Sequence, residues 1–107
     1  MRHVIIISPV AQRAALAAAV VQLMGPPAAA AFDGCDLSAS GSGEPSHIFA
    51  IVPASDAVWA QMQALLPQYP GVELIESYHD NAAAVFTARI AAMGLQRVRV
   101  PLPWESA

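Results

Sequence analysis

Two short apolar runs constrain this chain more than anything else in it: Val4-Ile5-Ile6-Ile7 and Ile48-Phe49-Ala50-Ile51-Val52. Each is far too short to cross a membrane, and both are rich in the β-branched residues that favour strands. A strand with one face in water alternates apolar and polar residues. An unbroken run belongs to a strand buried on both faces. The two segments are therefore expected to be the central strands of a small sheet.

The punctuation around them predicts the other elements. Ser8-Pro9 reads as an N-cap followed by proline at the first helical position, opening a helix over about 10–24 that Gly25-Pro26-Pro27 ends. Residues 28–34 are ambiguous. A strand is expected around Phe32–Ser38, then a turn over Ser40–Pro45. Ser55 caps a second helix over about 56–66, with Val58, Trp59, Met62, Leu65 and Leu66 as one apolar stripe. Val72–Tyr78 reads as a strand with Val72 and Leu74 on one side and Glu73 on the other. Asp80 is expected to cap a third helix, about 81–93, whose stripe is Val85, Phe86, Ile90 and Met93. Gly94 stops it, and Gln96–Val100 forms a last short strand before a tail stiffened by Pro101 and Pro103.

The order is β-α-β-β-α-β followed by α-β. The first six elements fit a ferredoxin-like sheet of order 4-1-3-2, in which strands one and three are central, and those are the two apolar runs. The expected fold is thus α+β, a single domain over 1–107, ferredoxin-like with an additional C-terminal helix and strand. At 107 residues such a domain buries enough surface for one core.

Composition narrows the function. Twenty-three of the 107 residues are alanine, so the 56% hydrophobic content overstates the number of large core side chains. Only 12% of residues are charged, which suits a surface partly covered by a partner. The basic residues are five arginines and no lysine, which excludes Schiff-base chemistry and a phosphate-loop lysine within this chain. A net charge of −3 argues against nucleic-acid binding. Residues 14–31 are apolar and end in Ala29-Ala30-Ala31, which mimics a signal-peptide cleavage site. The preceding strand pattern and the interruptions at Arg13, Gln22 and Gly25-Pro26-Pro27 argue against that reading and against a membrane span. Cys35 is the single cysteine, so no internal disulfide forms, and a reducing compartment is expected.

No reactive constellation stands out. His3 and His47 both open central strands and are candidates for a metal site together with an acid, but no ligand spacing accompanies them. Tyr78-His79-Asp80 is the densest polar cluster, and His79 beside a carboxylate is a candidate base; Asp80 as a helix cap accounts for the same residues. Cys35 lies between Asp33 and Asp36, whose charge opposes thiolate formation. Ser38–Gly43 lacks phosphate-loop spacing and leads into a strand. Trp59 reads as a core anchor, whereas Pro101-Leu102-Pro103-Trp104 is a candidate docking arm, with Arg97 and Arg99 on one face of the strand before it. No catalytic, cofactor or metal residue is assigned.

The segment His3-Val4-Ile5-Ile6-Ile7-Ser8-Pro9-Val10-Ala11 with Arg13-Ala14-Ala15-Leu16, and the later Leu37-Ser38-Ala39-Ser40-Gly41 with Glu44-Pro45-Ser46-His47, resemble a group of small uncharacterised proteins of tailed-phage and prophage genomes. The resemblance covers about half of the chain. It implies a viral accessory or virion-associated role, in the host cytoplasm or the virion, and transfers no catalytic residue. The expected function is that of a non-enzymatic structural or interaction protein acting through homo-oligomer or virion protein contacts, with Arg97, Arg99, Leu102 and Trp104 as candidate contacts. The alternative is a small enzyme or ligand-binding module with a pocket near His47, Tyr78 and His79. An inhibitor that mimics nucleic acid is a third reading, thinly supported by eight acidic residues.

Overall fold

The computed structural model describes residues 2–32, 36–39, 44–78 and 80–97, with the backbone alone at Arg97. Strand β1 spans Arg2–Pro9 and helix α1 Arg13–Met24. After a 3-10 segment, Pro26–Phe32, come β2, Asp36–Ala39, and β3, Pro45–Ala54. Helix α2 is Asp56–Leu65, β4 is Glu73–Tyr78, α3 is Ala82–Ala92 and β5 is Leu95–Arg97. The architecture is mixed α+β. The strands form one sheet in the order β4-β1-β3-β2-β5, and every neighbouring pair is antiparallel.

The unbroken apolar runs now have a cause. Val4 and Ile6 of β1, with Ile48, Ala50 and Val52 of β3, face α1 and α2 and pack with Leu16, Val20, Met62 and Leu66. Ile5 and Ile7, with Phe49, face the other way and pack with Phe86 of α3. The Phe49 and Phe86 rings lie 4.7 Å apart at 42°, a tilted contact worth about 1 kcal/mol beyond the area it buries. The sheet is a filling between two helical layers, and its four isoleucine and valine residues at 4–7 are wholly buried. Alanines such as Ala17 and Ala19 let α1 lie close to the strands.

Several local expectations are corrected. Ser8 and Pro9 are not a helix cap: they complete β1, opposite Ile48 and His47, and a 3-10 turn, Val10–Gln12, precedes α1. Long-range pairing with β3 outweighs the local capping preference there. The strand expected around Phe32–Ser38 starts later, at Asp36, and Phe32 enters the core from the end of the Pro26–Phe32 segment. Asp80 does not cap α3. Asn81 holds the cap position, and its Oδ1 accepts a hydrogen bond from the Tyr78 amide at 2.8 Å, so it closes β4 instead. Ser55 does cap α2, accepting from the Val58 amide. Gly94 stops α3 with φ +70°, and Leu95 behind it is buried under α3.

Candidate interaction surface at the free edge of the sheet

The polar residues singled out from sequence are dispersed by the antiparallel register. His3 pairs with Pro53, and His47 pairs with Pro9. The two histidines therefore sit at opposite ends of β1, six positions or about 20 Å apart at ~3.4 Å per residue. They cannot share a metal ion, because strands that both begin with histidine bring those beginnings together only when parallel. Tyr78 pairs with Arg2, at the end of β1 remote from His47, so the two do not line one pocket. His47 shares a hydrogen bond with the adjacent Ser46 hydroxyl at 2.9 Å. No group of three metal-ligating side chains occurs among the described residues. Cys35, Asp33, residues 40–43, His79, Arg99, Leu102 and Trp104 lie outside the described residues, as does the Arg97 side chain.

Each arginine whose side chain is described is held by a carboxylate. Arg13, at the start of α1, pairs with the buried Asp36 at the start of β2. Arg89 Nε lies 2.6 Å from Glu73 Oε2, tying α3 to β4. Arg2 Nε donates to Glu76 Oε2 at 2.5 Å, and its Nη1 forms an ion pair with Asp56 Oδ1 at 2.7 Å. The guanidinium also stands 5.9 Å from the centroid of Trp59. The Glu76 hydrogen bond first, and the Asp56 carboxylate second, raise the Arg2 pKa above its ordinary value. Trp59 thus packs against the core and supports a surface charge, a double role that its helical spacing did not reveal.

The Arg2 and Arg89 pairs frame β4, which bonds only to β1 among the described strands. Among the described residues its opposite side is a free edge of six residues, Glu73-Leu74-Ile75-Glu76-Ser77-Tyr78. Alternation places Leu74 toward α2 and Ile75 toward α3. Ser77 is buried and donates to the His3 carbonyl at 3.2 Å, while Tyr78 is 47% exposed. An open cleft of about 540 Å³ runs on the α3 side, lined by Ile75, Val85, Ala88 and Ala92. A second, of about 320 Å³, runs on the α2 side, lined by Trp59, Pro67 and Val72. Both also reach Leu74 and Glu76, so the two clefts meet along the free edge.

Natural edges are blunted by lysine, proline, bulges or short length, because an open row of N–H and C=O groups invites another strand. The β4 edge has none of these. It contains no proline or lysine, its register with β1 runs without a bulge, and it is as long as a typical strand. Its two glutamates are neutralised by arginines of the same chain. The opposite edge is β5, described over only three residues. Sequence reading placed the candidate contacts after Tyr78. The strand before Tyr78 was recognisable, but its being an edge was visible only in the assembled sheet. No family model, no curated protein and no solved structure matches this chain.

Proposed function

We propose that the chain is a non-enzymatic protein-interaction domain whose docking element is the free edge of β4. The observation that carries this reading is an unprotected, charge-neutralised edge strand with an apolar cleft on either side. Such an edge supplies affinity through main-chain hydrogen bonds and specificity through flanking pockets, the mode of β-strand addition. The dispersal of His3, His47 and Tyr78 along the sheet speaks against a pocket of convergent catalytic groups.

The partial order β4-β1-β3-β2 supports reading the first six elements as a ferredoxin-like unit, with α3 as an added cover and β5 as an added edge. The resemblance to small phage and prophage proteins supports an accessory or virion-associated setting, in the host cytoplasm or the virion. Arg97, Arg99, Leu102 and Trp104 are kept as a second candidate contact, carried by the sequence pattern alone.

The test is the particle isolated from its natural source. Its native mass is expected to exceed the 11.2 kDa of one chain, with β4 amides exchanging slowly. A free monomer whose β4 amides exchange as an open edge would overturn the reading.

A further inference from the structure

We infer that the occupant of the β4 edge is the β4 strand of a second copy of this chain, paired antiparallel and centred on Ile75. This rests on the reading of β4 as the docking edge, and it identifies the partner.

Symmetry and charge select this pairing. Two identical edges that join antiparallel are related by a two-fold axis perpendicular to the sheet. Opposed residues must then lie on the same face, so every permitted register is centred on one residue. Centring on Glu76 sets two carboxylates directly against each other, which is destabilising. Centring on Leu74 pairs only the first half of β4 and forces the turn at Pro70-Gly71 into the ladder. Centring on Ile75 opposes Ile75 with Ile75, Leu74 with Glu76 and Glu73 with Ser77. No like charges meet, and nearly the whole strand is paired. Glu73 and Glu76 keep their own arginines, Arg89 and Arg2, so the two copies approach without unpaired charge. The result is a continuous ten-stranded sheet in which the α3-side clefts of both copies lie against the axis and are filled from across it.

Sedimentation of the purified full chain is expected to give twice the 11.2 kDa chain mass. In a Cys35→Ser background, Ile75→Cys is expected to form a covalent dimer on mild oxidation. Mixing Leu74→Cys with Glu76→Cys is expected to cross-link the two variants, while Glu76→Cys alone gives none. The mixed pair gives the same reading if Ile75→Cys fails to fold. A monomer at all concentrations, or cross-linking by Glu76→Cys alone, would overturn the inference. A purified monomer beside a larger native particle with protected β4 amides would refute the dimer and leave the edge docked to another chain. A monomeric native particle would remove both.

Discussion

Gly71 and Pro9 show how one residue contact sets the start of an edge strand. Gly71 has φ +75°, and a Cβ placed there would come within 2.8 Å of the Pro9 ring. Gly71→Ala therefore adds backbone strain to a clash, and a loss of more than about 1 kcal/mol is expected in denaturant unfolding. Ser38 gives the opposite case. Its hydroxyl is wholly buried and has no hydrogen-bond partner among the described residues. Replacing it by alanine removes a desolvated polar group, so Ser38→Ala is expected to leave stability unchanged or raise it by about 1 kcal/mol, read from the urea midpoint. At Arg2 the two carboxylates are not equivalent. Asp56 is 95% exposed and Glu76 39%, so solvent screens the first more strongly. Glu76→Gln is expected to lower the melting temperature more than Asp56→Asn. The raised Arg2 pKa gives a sign as well. A group with a raised folded-state pKa contributes stability that is complete below its unfolded pKa and is lost only as pH rises through the folded value. For an arginine that window lies in strong alkali, so the melting-temperature deficit of Arg2→Met should show no dependence on Arg2 ionisation between neutral pH and mild alkali.

Among the elements, α3 has the most consequential placement. Its stripe of Val85, Phe86, Ile90 and Met93 was legible from helical spacing, and those residues do meet the core. What the spacing left open was which surface they meet. They cover the sheet face formed by Ile5, Ile7 and Phe49, the face that α1 and α2 do not reach. Phe86→Ala empties the centre of that contact, and a loss of about 3–5 kcal/mol is expected by calorimetry or denaturant. The starts of α1 and α3 were less legible. Ser8-Pro9 carries a good local capping signal, yet pairing with Ile48 and His47 recruits both residues into β1. Asp80 carries one too, yet Asn81 takes the position because its side chain also closes the end of β4. At Ser8-Pro9 a tertiary partner decided between two locally acceptable conformations, whereas at Asn81 the deciding contact is local, to the Tyr78 amide.

At the scale of the whole molecule, three layers share one sheet, and the middle layer depends on both outer ones. Removing residues 80–107 would strip α3 and β5 and uncover Ile5, Ile7, Phe49, Ile51 and Ile75 together. The truncated chain is expected to aggregate or to bind a hydrophobic dye strongly, instead of persisting as a smaller folded unit. The same layering leaves the sheet vulnerable only sideways. Helices close both faces, so the exposed backbone is at the edges, and β4 is the longer of the two described. That is why the interaction reading settles on an edge and not on a face.

The sequence by itself determined the element types and the interior place of β1 and β3, because unbroken β-branched runs have no stable position except one covered on both sides. It also determined that no lysine blunts the β4 edge, by containing none anywhere. Tertiary structure alone decided that His3 and His47 stand at opposite ends of neighbouring strands, that α3 and not a partner covers the second face, and that Glu73 and Glu76 are met by Arg89 and Arg2. Strand direction, sheet order and long-range ion pairing depend on which distant segments meet, and no local pattern of residues carries that information.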